Sequence, residues 1–214
     1  MTRVLIIDDH PIVLQGCRIL LEDSGTCELV KAQSAIAGYR AFRRQRPDMV
    51  IVDLALNGSG LAGLALVRRL RAQAARMPIL VFSMHSDPVI ASRALEAGAT
   101  GYLVKDTSAA DLIDAFEKVR RGQPYISPDL ALEVAILGTR GRTGALADLT
   151  PRELQALALL AEGKAYGQIA DDLGVSYKTV ANTCSQLKAK LGATNLAELI
   201  HRAIQYVAGA PPGR

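Results

Sequence analysis

The chain has 214 residues, is half hydrophobic, lacks tryptophan and carries a formal charge of +4, so its core must be aliphatic and a nucleic-acid partner is permitted without being required. No apolar run reaches the ~20 residues of a membrane span, and the N-terminus enters a strand-like segment without a signal-peptide pattern. Cys17, Cys27 and Cys184 are odd in number and lack metal-ligand spacing, which fits a reduced cytosol better than a disulfide framework, so a cytoplasmic protein with no membrane association is expected.

From the N-terminus, apolar and β-branched stretches predict strands over 3–7, 28–31, 49–52, 79–82 and 101–104. Helix-length segments at 11–21, 35–46, 64–76, 88–97 and 109–121 separate them, the second amphipathic with arginines along one side. Four of the strands are continuous apolar runs, as expected for a sheet covered on both faces. This alternation predicts an α/β fold: a doubly wound, five-stranded parallel sheet whose functional groups collect at the carboxyl ends of strands. Arg121-Gly122-Gln123-Pro124 then breaks the fifth helix. Residues 127–137 predict one more helix, and the glycine-rich 138–144 reads as a flexible linker. Beyond 149 there is no strand signal, only short helices over 151–162, 166–173, 177–191 and 195–207, with 209–214 expected to fray. The expected division is one domain over 1–121, a linker over 122–145 and a small all-α domain over 146–208.

The strand ends carry the chemistry. Asp8 and Asp9 end the first strand, Asp53 the third, Ser83 the fourth and Lys105 the fifth, so all lie on one edge of the sheet. Paired aspartates at a strand tip repel each other and need a cation. Mg²⁺, which takes oxygen ligands and keeps several waters, suits them. Asp53 is then placed to attack phosphorus as a nucleophile, with Mg²⁺ and the Lys105 ammonium offsetting charge on the transferred group and the Ser83 hydroxyl donating to it. Each residue also has a plain structural use. Asp9 before Pro11 can cap a helix, a lysine after a strand commonly faces solvent, and serine is a turn residue. Their coincidence at the ends of four strands favours the functional reading.

These segments resemble the receiver domain of two-component response regulators, a flavodoxin-like fold, over about 1–121. The matching pieces are Ile6-Ile7-Asp8-Asp9-His10-Pro11, Val52-Asp53-Leu54, Ser83-Met84-His85 and the run from Ala97-Gly98-Ala99 to Val104-Lys105-Asp106. The resemblance implies that Asp53 is the phosphoacceptor of a sensor histidine kinase. It implies that Asp8, Asp9, Asp53 and the backbone carbonyl of Ala55 serve Mg²⁺, and that Ser83 and Lys105 contact the phosphoryl group. Tyr102 matches the family's aromatic switch position, with ordinary packing as the alternative. The loop over 54–63 is longer than in many relatives by about two residues and rich in glycine, so it is expected to be mobile and to hold the Ala55 ligand loosely. Ala55 cannot position a water. His85 can, although a histidine after a strand is more often a surface polar residue.

In the C-terminal part, Tyr166–Leu173 and the following segment read as helix–turn–helix. Ile169, Ala170 and Leu173 form an inner face, Gly174 permits a tight turn and Ser176 caps the next helix. Val180, Cys184, Leu187 and Leu191 share that helix's buried face. Lys178, Thr179, Ala181, Asn182, Ser185, Gln186 and Lys188 are left on the outside as the candidate DNA-binding set, in a stretch without acidic residues between Leu173 and Ala197. Asn182 and Gln186 have the amide geometry to pair with adenine, while Lys178 and Thr179 suit backbone contacts. A helical bundle for protein contacts is the alternative. Leu149-Thr150-Pro151-Arg152-Glu153, Ala161-Glu162-Gly163, Ile169-Ala170, Ser176-Tyr177-Lys178-Thr179-Val180 and Lys190-Leu191-Gly192 resemble the LuxR-type DNA-binding domain. Together the two halves resemble response regulators of the NarL/FixJ class. Relatives often carry lysine at Ala181 and histidine at Thr183, so this recognition helix lacks a cation.

The resemblance implies a transcription factor acting on double-stranded promoter DNA, a homodimer when active, with the stripe Leu196, Leu199, Ile200, Ala203, Ile204 and Val207 available for pairing. Phosphorylation is expected to draw Ser83 and Lys105 toward Asp53 and Tyr102 inward. Two other readings stand beside it: a phosphorylation-independent regulator whose receiver is a dimerisation platform, and a phosphatase of related topology using Asp53. The intact acidic set argues against the first. The absence of an acid/base residue at Ala55 and of a cap domain argues against the second, so no enzyme is expected.

Overall fold

The structure, a computed structural model, describes residues 2–22, 25, 27–56, 61–139, 146 and 148–207. Expectations for the loop tip at 57–60, the linker at 140–145 and the tail at 208–214 fall outside the described residues.

The strands are β1 (Thr2–Ile7), β2 (Cys27–Ala32), β3 (Met49–Val52), β4 (Ile79–Ser83) and β5 (Gly101–Val104). They form one parallel sheet in the order β2-β1-β3-β4-β5. Between them run α1 (Pro11–Glu22), α2 (Ala35–Gln45), α3 (Ala62–Gln73) and α4 (Pro88–Glu96), and α5 (Ala109–Arg120) follows β5. Strand side chains alternate between two apolar layers, as the two-residue strand period requires. Val4, Ile6, Met49, Ile51, Leu80 and Phe82 pack with α1 and α5 residues such as Leu14, Leu112 and Phe116. Leu5, Ile7, Val50, Val52, Ile79 and Val81 pack with Phe42, Leu66, Val67 and Ile90 of α2, α3 and α4. The sheet is therefore covered on both faces, which is why its central strands read as unbroken apolar runs.

Successive connections leave β1 in opposite directions, so β1 and β3 lie side by side and their carboxyl ends form the switch point of the sheet. Ile7 is in register with Val52, which sets Asp8 beside Asp53. Gly63 pins the start of α3 to this edge, its amide donating to the Leu54 carbonyl at 2.9 Å. A methyl group there would overlap the Asp53 carbonyl oxygen and lie 2.6 Å from Leu54 Cα, both backbone atoms. Gly63→Ala is expected to destabilise the sheet domain by about 3 kcal/mol, read from urea unfolding; an unchanged midpoint would mean that this junction has room.

Beyond the sheet, α6 (Pro128–Thr139) packs on α4. It runs two residues into the stretch expected to be linker. The rest is helical: α7 (Pro151–Ala161), α8 (Tyr166–Leu173), α9 (Tyr177–Leu191) and α10 (Leu196–Val207). Thr150 and Glu153 close a capping box on α7. Buried Glu153 also meets Lys190 at 2.8 Å, tying α7 to α9. Gly174 takes φ +62° between α8 and α9, where a side chain would be strained, and Ser176 Oγ accepts from Thr179 N at 3.1 Å. The apolar layer on the α2–α4 side continues through Leu130, Leu146 and Leu149 into these helices. Arg93 of α4 donates to the Leu149 carbonyl at 2.8 Å across the same seam.

Candidate functional site

Asp8 and Asp53 sit on neighbouring strands, whereas Lys105 follows β5, two strands or about 10 Å from β3. A lysine stem spans that gap. Lys105 Nζ lies 2.8 Å from Asp8 Oδ2 and 2.8 Å from Asp53 Oδ2. Its side chain is only 5 % exposed, which corrects the general expectation of a solvent-facing lysine after a strand. The position of Lys105 is fixed by its own amide, which donates to the Ser83 carbonyl at 2.8 Å. Ser83 is buried at the end of β4.

Burial pushes the Asp53 carboxyl up; Lys105 pulls it down, Asp8 pushes it up again and the Ala55 amide favours the ionised form, leaving it above the ordinary value. Burial acts to lower Lys105, but Asp53 and Asp8 outweigh it and keep the ammonium charged. Asp53 Oδ1 is buried and makes no hydrogen bond of normal geometry. A buried carboxylate oxygen without a partner is costly unless something cationic or a donor comes to it.

His10 also belongs to this site. Its Nδ1 is 3.1 Å from Asp8 Oδ1, 3.2 Å from Asp9 Oδ1 and 4.0 Å from Asp53 Oδ2. Sequence reasoning passed over it, although an imidazole directly after two aspartates was the available signal. Oxygens of Asp8, Asp9 and Asp53 and a His10 nitrogen all lie within 4.8 Å of one another. The three carboxylates are hard oxygen donors around an unsatisfied buried oxygen, a donor set that fits Mg²⁺.

Two expectations need correction. His85 is buried rather than on the surface. Tyr102 has no inward movement left to make: its ring is fully buried and its hydroxyl donates to the His85 carbonyl at 2.7 Å. Burial pushes that phenol far above its ordinary value, so it remains a donor.

On α9, Val180, Cys184, Leu187 and Leu191 are buried, while Lys178, Thr179, Asn182, Ser185 and Gln186 are exposed and Ala181 and Lys188 are half-buried. Thr179 and Ser185 spend their hydroxyls locally, on the Ser176 cap and on the Ala181 carbonyl at 3.1 Å. Among the described residues, Lys178, Asn182 and Gln186 keep their polar tips free for a ligand. In α10, Leu199 and Ala203 are buried in their own domain, whereas Leu196 and Ile204 are partly exposed. The Val207 side chain lies outside the described set.

A doubly wound sheet with an aspartate trio and a bridging lysine at its switch point, followed in the chain by a helix–turn–helix unit, is the architecture to be matched. Residues 4–117 match the family of response regulator receiver domains, and residues 147–203 match the luxR family of bacterial regulatory proteins. The chain is 42% identical over 207 residues to the methanol utilization control regulatory protein MoxX of Paracoccus denitrificans, covering 97% of this chain and 93% of that one. It is 30% identical over 209 residues to the response regulator UvrY of Escherichia coli K12, covering 96% and 95%. A structure of RcsB from Salmonella enterica serovar Typhimurium, bound to promoter P1flhDC in the presence of phosphomimetic BeF3−, superposes with a TM-score of 0.73 at 27% identity, over 94% of this chain and 98% of that one. The chain belongs to the response regulators that join a receiver domain to a LuxR-type DNA-binding domain, and is a DNA-binding transcriptional regulator of that family. Among the described residues no helix is long and apolar enough to cross a membrane.

Proposed function

We propose that Asp53 takes a phosphoryl group from a sensor histidine kinase and that this modification controls binding of α9 to double-stranded promoter DNA. The supporting observation is the Lys105 bridge between Asp8 and Asp53, beside a buried Asp53 oxygen that makes no hydrogen bond of normal geometry. An Asp53 carboxylate oxygen attacks phosphorus. The P–N bond to the kinase histidine breaks, the departing nitrogen keeps the electron pair, and an acyl phosphate remains. Asp8, Asp9, Asp53 and the Ala55 carbonyl would hold Mg²⁺, which when bound neutralises charge on the phosphoryl oxygens. Lys105 follows the incoming charge, and the Ser83 hydroxyl donates to it. The His10 ring is half exposed with its Nδ1 4.0 Å from Asp53 Oδ2, close enough that we expect it to turn outward as the donor enters.

From the pocket, the path to the C-terminal helices is short. Ser83 Oγ accepts from His85 N at 3.4 Å, and Tyr102 holds the His85 carbonyl. Asp87 caps α4 through Val89 N at 2.8 Å, and Arg93 of that helix grips Leu149. A phosphoryl group that draws on Ser83 and Lys105 therefore biases α4 and its hold on the domain beyond, a two-state population shift. The outer face of α9 is already exposed, so the switch acts on pairing of two chains rather than by uncovering the helix. Leu196 and Ile204 of α10 supply apolar surface for a homodimer on a palindromic site. The working division is a receiver over 1–121, a linker over 122–145 and the DNA-binding domain over 146–208. We infer a cytoplasmic location, a reading supported by the proposed DNA target and by the free, buried cysteines.

The test is selection of duplex DNA by the protein treated with a small phosphodonor and Mg²⁺, with Asp53→Ala as control. The selected site is expected to bind more tightly after treatment only when Asp53 is present; equal binding in all arms would overturn the reading. A second expectation concerns Ala181. Because each neutralised phosphate adds about 0.9 to the slope of log K against log salt, Ala181→Lys should steepen that slope by roughly one. Equal slopes would show that position 181 faces no phosphate.

A further inference from the structure

The acidic pocket and α9 leave one strongly charged surface unused. Arg40, Arg43, Arg44 and Arg46 of α2 and its cap, with Arg68, Arg69 and Arg76 of α3 and the turn after it, are all exposed. Among the described residues none of the seven forms an ion pair. The sequence keeps counter-charges away: there is no acidic residue over 29–47 or over 54–86. The chain as a whole is only +4, so without these seven arginines it would be net acidic. Its basic character is concentrated here rather than spread evenly.

Five of the arginines line grooves along α2 and α3. Arg69 stacks on Tyr39 at 3.7 Å, and Tyr39, Arg40 and Arg69 line a single groove between α2 and α3. Arg43 donates to Gln73 at 3.4 Å, and both line a second groove with Arg46. At the other end, Arg68 shares a groove with Arg152, Gln155 and Leu173, which belong to α7 and α8. Leu173 is the last residue of α8, immediately before the turn into α9. The basic surface thus runs up to the edge of the helix–turn–helix unit. Asp172 on that edge is paired with Lys164 at 2.6 Å, which limits its repulsion of an anion.

We infer that the α2–α3 face of the receiver binds the sugar-phosphate backbone of the duplex that α9 reads, adding sequence-independent contacts in the flank of the site. Guanidinium groups suit this task because they meet phosphate oxygens in pairs and remain charged. Phosphate contacts carry affinity and register without reading bases. A membrane surface is the weaker match, since an interfacial helix needs a bulky apolar face and the exposed part of α2 offers mainly Ile36. The inference rests on the DNA-binding reading of α9 and extends it to a second surface.

The experiment compares the full chain with an Arg40→Gln, Arg44→Gln, Arg68→Gln variant on two duplexes, one holding only the selected site and one with long flanks. Among the described residues these three side chains make no ion pair, so the variant is expected to unfold at the wild-type temperature. On the flanked duplex it should bind roughly ten-fold more weakly at low salt, and its slope of log K against log salt should fall by about two. On the short duplex it should match the wild type. Unchanged slopes on both duplexes overturn the inference, as does a loss of binding to anionic phospholipid vesicles with the DNA slopes unaffected. Asn182→Ala separates the two readings: it should lose preference for the selected site while keeping the flank-dependent slope. A wild-type protein with no site preference would instead sink the role assigned to α9.

Discussion

Asp53→Asn is expected to raise the thermal unfolding temperature of the receiver domain at neutral pH while abolishing every response of DNA binding to a phosphodonor. Stability and function separate here because Asp53 is a buried carboxylate whose Oδ1 makes no hydrogen bond of normal geometry. Burial is the largest influence on its titration and raises it above the ordinary 3.8. A group whose folded value is raised adds stability below its unfolded value and loses it as pH climbs through the folded value. As pH rises through that raised value the contribution is lost, and the ionised, buried carboxylate becomes a net burden. The amide removes the charge, and Lys105 keeps Asp8 as its partner at 2.8 Å. The gain should be about 1 kcal/mol, or roughly 3 °C for a chain of this size. It should vanish below about pH 3.8, where the native carboxyl is protonated in both states. A gain that persists in acid would place its origin in packing, not charge. With Mg²⁺ held as proposed, the wild type should gain heat stability from the ion and the variant should gain less, since ligand binding to the folded state alone stabilises by RT ln(1 + [L]/Kd).

Strand tips were the legible part of this site. Continuous apolar runs ending in Asp8, Asp53 and Ser83 reveal buried parallel strands, and the period-two rule brings their ends to one edge. What the runs do not encode is reach. That Lys105 spans two strand positions to lie between Asp8 and Asp53 depends on strand order β3-β4-β5 and on the twist of the sheet, neither of which is local. His10 escaped notice for a different reason. Its ring turns back onto Asp8 because the backbone between them folds sharply, with His10 N donating to Asp8 Oδ1 at 2.9 Å. Buried His85 and inward Tyr102 constrain each other through one hydrogen bond, so neither position could be inferred without the other. The helices of the C-terminal part were readable from spacing and caps: Val180, Cys184, Leu187 and Leu191 at three- and four-residue intervals, with Ser176 before them and Gly174 in the turn. Arg93 donating to the Leu149 carbonyl joins residues far apart in the chain, a pairing that no local pattern encodes.

Lys105→Met should have the opposite effect and a larger one. Methionine fills much the same volume with a flexible stem, so packing is nearly conserved while the ammonium is lost. Asp8 and Asp53, with side chains 3% and 2% exposed, would then face each other without a cation between them. Removing one member of a buried ionic cluster costs about 3 kcal/mol, because the remaining charges are stranded, and the unfolding temperature should fall by roughly 10 °C at neutral pH. Three further measurements test whether charge is the cause. The deficit should shrink in acid, as both carboxyls take up protons. Millimolar Mg²⁺ should restore stability to the variant more than it adds to the wild type, since the divalent ion then meets an acidic trio with no competing ammonium. Finally, Asp53→Asn placed in the Lys105→Met background should recover at least 1 kcal/mol beyond its effect in the wild type, the non-additivity expected of groups in direct contact. A deficit that is independent of pH, Mg²⁺ and Asp53 would mean that Lys105 serves the sheet only through its stem, and the electrostatic basis of the pocket would have to be abandoned.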